Sequence, residues 1–126
     1  MTRSFAHGCL LCAVVSALAA SARPGAGAAA PQPKPQVVEI AAERFSFTPS
    51  EFRVKADAPV EIRLSSDDTD HGFRILGTDI NIIIPKRGKG AATVTFLPPK
   101  PGRYIFECSK LCGAGHAFMR GTLIAE

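Results

Sequence analysis

Residues 92–124 read ATVTFLPPKPGRYIFECSKLCGAGHAFMRGTLI, and this stretch decides the fold. Ala92–Phe96 alternates small or polar residues with apolar ones, the two-residue period of a half-buried strand, and Arg103–Glu107 is a short aromatic and β-branched run of strand type. Pro98-Pro99-Lys100-Pro101-Gly102 between them is turn chemistry, because proline sets φ and removes a backbone donor while glycine tolerates any φ. After Glu107 the alternation stops, Gly113 and Gly115 disfavour a helix, and a strand pattern resumes at Gly121. Strand, turn, strand, loop and strand within 33 residues leave no room for a helical layer.

The same reading extends upstream. Val37–Ile40, Glu51–Lys55 and Val60–Leu64 are further β-type runs, separated by Thr48-Pro49-Ser50 and Asp57-Ala58-Pro59. No window of helix length holds a 3.6-residue apolar period. The expectation is an all-β, Greek-key sandwich of about seven strands over residues 37–126, with a core of Phe45, Phe47, Phe52, Val54, Ile62, Leu64, Val94, Phe96, Tyr104 and Phe106. Most of these aromatic side chains are expected only to pack.

The 126 residues suffice for one domain and one core. At the start, Met1-Thr2-Arg3 precedes an apolar run from Cys9 to Ala20 and the small-residue triplet Ala20-Ser21-Ala22. Residues 1–22 therefore read as a secretory signal peptide, cleaved after Ala22 or alternatively after Ala28. The apolar run is shorter than the ~20 residues a membrane span needs. Residues 23–36, rich in Ala, Gly and Pro, read as an extended spacer. Export places the rest in a periplasmic, oxidising setting, where a lone cysteine pair is ordinarily a disulfide.

Without the leader, the chain keeps two His (71 and 116), two Cys (108 and 112) and one Met (119). Four of the five fall between Cys108 and Met119. Soft thiolate and thioether ligands combined with imidazole select copper over hard cations. His71, at a loop-to-strand junction after Ser65-Ser66-Asp67-Asp68-Thr69-Asp70, is the remaining imidazole, and loops at one end of a sandwich cluster together. The residues leave other readings open. A Cys2His2 zinc site uses the same spacing but leaves Met119 without a role, and a mononuclear blue copper site needs one of the two cysteines. Thiol–disulfide exchange at Cys108 and Cys112 lacks the crossover helices of a thioredoxin-like frame, and a structural disulfide makes both His and the Met coincidences.

Composition excludes other classes. Lys and Arg number 15 against 11 Asp and Glu, and the pI is near 9.1. The charges are scattered, aromatics are 7% and Trp is absent, which is no nucleic-acid footprint. Lys86-Arg87-Gly88-Lys89-Gly90 reads first as a solvated loop, with docking to an acidic redox partner as the other reading. Asp67, Asp68 and Asp70 lack the spacing of a calcium loop. No nucleophile–base pair points to catalysis.

The pattern Cys108-Ser-x-x-Cys112-Gly-x-x-His116-x-x-Met119, with Asp68-x-x-His71-x-Phe73 upstream, resembles the binuclear copper A motif of cytochrome c oxidase subunit II and nitrous-oxide reductase. The resemblance covers about residues 37–126. It implies a cupredoxin fold holding two copper ions bridged by Cys108 and Cys112. His71 and Met119 would complete one ion, and His116 with the backbone carbonyl of Lys110 the other. It further implies electron transfer with a respiratory redox partner and no catalysis; a copper-delivery protein is the other partner expected. A binding-class alternative is periplasmic copper holding and delivery with the same ligands. The chain departs from subunit II in lacking its pair of membrane helices, its Trp-bearing aromatic segment and its acidic docking surface. Lys110 stands where that subunit carries Glu.

Overall fold

The computed structural model describes residues 34–126. The expected leader and most of the spacer lie outside the described residues. Nine strands form two mixed sheets: β1 Gln36–Glu43, β2 Ser46–Thr48, β3 Glu51–Val54, β4 Val60–Ser66, β5 His71–Ile75, β6 Asn81–Ile84, β7 Ala92–Phe96, β8 Gly102–Glu107 and β9 Arg120–Ala125. One sheet runs β2-β1-β4-β7 and the other β3-β9-β8-β5-β6. Among the described residues the only helical turn is a 3₁₀ turn, His116–Phe118, and no helix is long and apolar enough to cross a membrane.

The sequence suggested about seven strands; the structure has nine. The additional pieces are short. β2 has three residues, and β6 reads Asn-Ile-Ile-Ile without alternation. Pairing across the sheet, not local pattern, makes these segments strands.

Alternation is clearest in β4, where Val60, Ile62 and Leu64 are buried and Arg63 and Ser65 face water. Their partners are parallel β1, with Ile40 opposite Leu64, and antiparallel β7, with Val94 opposite Ile62. Between the sheets, Phe106 stands at the centre of an aromatic cluster, its ring centroid 5.4 Å from Phe47, 5.3 Å from Phe73 and 5.6 Å from Phe52. Burial of such side chains drives the collapse at about 25 cal/mol per Å² of apolar surface. Phe47, Val54, Ile62, Leu64, Phe96 and Phe106 are core residues as expected. Phe52, Val94 and Tyr104 are half-buried and pack against that core. Phe45 is not core. It lies exposed in the β1–β2 turn, its ring against Gly113 and Gly115.

Strand direction positions the chemistry. β5 begins, β8 ends and β9 begins at the same end of the sandwich, because β5 and β8 are antiparallel with Ile75 opposite Phe106, and Glu107 lies opposite Arg120. The loops 67–70, 85–91 and 108–119 and the Arg44–Phe45 turn therefore gather at that end.

Candidate metal centre

The loop 108–119 is closed at its base by the Cys108 N–H bond to the Met119 carbonyl, 3.0 Å. Within it, Gly113 adopts φ +141°, which a side chain disfavours. The His116, Phe118 and Met119 amides bond back to the Gly113, Gly115 and His116 carbonyls. This folds the loop over itself, turning the Cys112, His116 and Met119 side chains toward Cys108.

The six atoms singled out in the sequence form one chain of contacts. The Cys108 and Cys112 sulfurs are 3.8 Å apart and both are free thiols, far beyond the ~2.05 Å of a disulfide. His71 Nδ1 is 3.9 Å from Cys108 Sγ, and His116 Nδ1 is 3.7 Å from Cys112 Sγ. Met119 Sδ lies 3.8 Å from Cys112 Sγ, and the Lys110 carbonyl accepts from the Cys108 thiol at 3.1 Å. Donor atoms of His71, Cys108 and Cys112 all fall within 4.8 Å of one another, and all three residues are buried. Ligands bonded to one ion at ~2.0–2.3 Å stand ~3–4 Å from each other, so these separations suit a metal held between them.

Electrostatics point the same way. Burial, then the hydrogen bond and charge of Cys108 beside it, push the Cys112 thiol up to about 11. Two thiolates side by side in an apolar end of the sandwich repel and lose hydration, and a cation between them removes both penalties. Gly72 N–H donates to Cys108 Sγ at 3.4 Å. Only glycine fits there, because a Cβ would stand 2.5 Å from the Lys110 amide nitrogen and 2.8 Å from that of Ser109.

Asp68, which the sequence motif included without a role, and Arg44, which the sequence did not mark, hold the arrangement together. Asp68 Oδ1 is 2.7 Å from His71 Nε2, and its other oxygen accepts the Arg44 amide at 3.1 Å. Partial burial alone would raise this carboxyl, but hydrogen bonds from His71, Thr69 and Arg44 bring it down to about 2. An ionised carboxylate only accepts, so Nε2 of the neutral ring carries the proton and Nδ1 presents a lone pair to the sulfurs. Arg44 Nε then donates to the Cys112 carbonyl at 2.9 Å, tying the ligand loop to the β1–β2 turn. Asp70 is engaged by the Lys86 amide at 2.7 Å. The spacing Asp68-x-x-His71 was the available signal for Asp68. Nothing local marks Arg44.

Asp68→Asn follows as a test. Its folded carboxyl ionises near 2 against 3.8 ordinarily, so its contribution is complete above about pH 4–5 and is lost as pH falls through about 2. The metal-free variant is expected to unfold at lower urea than the parent at pH 6, with the gap narrowing below about pH 4 and closing at about pH 2. Urea midpoints over that range check it.

Comparison with known proteins places this arrangement in context. A model of the cupredoxin-like domain matches residues 9–125. Cytochrome c oxidase subunit 2 of Thermus thermophilus is 32% identical over 95 residues, covering 75% of this chain and 68% of that protein. Nitrous-oxide reductase of Ralstonia nicotianae is 33% identical over 97 residues, 74% of this chain but 15% of that enzyme. A chain from the cryo-EM structure of a heme-copper terminal oxidase dimer superposes with a TM-score of 0.64 at 27% identity, covering 74% of this chain and 66% of that one.

Proposed function

The chain belongs to the cupredoxin-like domain family, and from that premise we propose that it is an exported copper protein that carries electrons through a binuclear copper A-type centre. The carrying observation is the pair of unbonded, buried thiols 3.8 Å apart with an imidazole nitrogen 3.9 Å from one and 3.7 Å from the other. The similarity to an oxidase subunit and to nitrous-oxide reductase supports the same reading. In it, residues 1–22 are removed on export, 23–36 are a spacer and 37–126 are the copper domain.

The donor set fits copper. His71, Cys108, Cys112, His116 and Met119 combine soft sulfur with imidazole, and the Lys110 carbonyl is the remaining donor. Copper held by these residues, with the thiolates of Cys108 and Cys112 shared between two ions, would supply a one-electron couple. The protein's part is to keep the donors still. Asp68 orients His71, Arg44 braces the loop carbonyl of Cys112, and the Gly72 N–H bonds the Cys108 sulfur, which tunes the potential. Burial of His71 and Met119 excludes water from that side. Little rearrangement accompanies the change of charge, and no substrate bond is made or broken.

The test is the visible and EPR spectrum of copper-loaded mature protein, with its copper-to-protein ratio. Two coppers per chain and hyperfine structure shared equally over two nuclei are expected. A single-nucleus signal would overturn the reading in favour of copper holding and delivery. A silent protein with Cys108 bonded to Cys112 would overturn it in favour of thiol chemistry.

A further inference from the structure

Phe118 and Leu111, 82% and 79% exposed, are the most exposed large apolar side chains among the described residues. Both belong to the ligand loop, and Phe118 follows the half-buried His116 by two positions. Neither packs against the core, so burial within this chain does not account for them. Exposed apolar side chains concentrated on one loop, beside polar neighbours, mark an interaction site.

Charge tells what fits there. Lys110 and Arg120 lie in and at the foot of the same loop, both exposed. Lys86 and Arg87, also exposed, are brought to this end by the Lys86 amide bond to Asp70 and the Arg87 amide bond to the Asp68 carbonyl, 3.3 Å. Among the described residues none of these four forms an ion pair with a carboxylate, whereas the nearby acids are engaged. Asp68 holds His71 and the Arg44 amide, Asp70 holds Lys86, and Glu107 pairs with Arg74. Glu43 and Asp67 are the exposed acids at this end, next to the β1–β2 turn, and they leave the four cations in excess of them.

We propose that the ligand-loop end docks a one-electron carrier protein whose contact face is acidic around an apolar centre, with Phe118 and Leu111 as the apolar contact and Lys86, Arg87, Lys110 and Arg120 as the cationic surround. This rests on the electron-transfer reading above and names its partner's chemistry. A second copy of this chain presents the same cations and is repelled. An anionic membrane matches the charge, but it would cover the His116 side of the centre and leave no exit for an electron. Opposite charge steers encounter and sets orientation, and the apolar contact holds the complex.

The experiment titrates the copper-loaded chain, by calorimetry, with a strongly acidic c-type cytochrome, a strongly basic one, and vesicles of phosphatidylglycerol and phosphatidylcholine. The acidic cytochrome is expected to bind, with affinity falling at least about tenfold from ~10 mM to ~200 mM salt. Lys86→Glu with Arg87→Glu is expected to weaken it about tenfold at low salt and flatten the salt dependence. Phe118→Ser weakens it similarly with the salt dependence unchanged. Equal or tighter binding of the basic cytochrome, binding to vesicles with none to the acidic cytochrome, or no effect of these substitutions would overturn the proposal. Copper stoichiometry is read beforehand and binding needs no electron flow. A chain without the two-copper signal that still binds the acidic cytochrome thus fails the preceding reading alone.

Discussion

For the binuclear centre proposed above, Cys112→Ser is expected to eliminate the shared-hyperfine copper signal and reduce tight copper uptake from two ions per chain to one or none. Cys112 Sγ touches three other donors of the cluster, at 3.8 Å from Cys108 Sγ, 3.7 Å from His116 Nδ1 and 3.8 Å from Met119 Sδ. A serine hydroxyl does not ionise near neutral pH and is a hard oxygen, so the proposed bridge between two ions would be lost. The metal-free fold should hardly notice. With its thiol pushed up to about 11, Cys112 is neutral at pH 7, and serine replaces one small neutral group with another. The contrast separates a ligand from a packing residue. Metal-free urea midpoints should stay within about 1 kcal/mol of the parent, while metal analysis and EPR change completely. Retention of two coppers with an unchanged spectrum would show that Cys112 is no bridge.

Phe106→Ala will produce the largest loss of stability. The Phe106 ring is fully buried and touches Phe47, Phe52 and Phe73, so it joins both sheets. Truncating such a residue costs about 3–5 kcal/mol in lost transfer energy and cavity formation, against ~5–15 kcal/mol of total stability for a small domain. The cavity is hard to refill, because Gly121 packs directly on the ring and has no side chain to move in. At ~4–8 °C per kcal/mol the melting temperature should fall by roughly 12–40 °C. Calorimetry of the metal-free protein checks it. Copper-loaded protein should fall less, because binding to the folded form alone adds stability. A drop of only a few degrees would mean that the two sheets are held elsewhere.

How far the sequence could be read depended on distance along the chain. β4 and β7 were visible because their own side chains alternate. β6, a run of three isoleucines after Asn81, was not, since a short apolar run has no period and becomes a strand only by pairing with β5. Phe45 and Phe47 share a two-residue spacing, which placed both in the core on paper. The β1–β2 turn breaks that period, leaving Phe47 inward and Phe45 over the ligand-loop glycines. Of the three aspartates before His71, all have the same local chemistry. Only the path of the chain after Ser66, whose hydroxyl binds the Asp68 amide and the Thr69 carbonyl, turns Asp68 under the imidazole.

By itself the sequence determined the donor types and their crowding into twelve residues, the β class and the glycines that let the loop fold back. These are properties of neighbours, and local spacing suffices for them. The tertiary structure decided that His71, 37 positions before Cys108, reaches its sulfur, that Arg44 binds the Cys112 carbonyl across 68 positions, and which acid orients the ring. Such contacts follow from strand pairing and sheet packing. Their register is selected by the burial of the whole core and is written in no single segment.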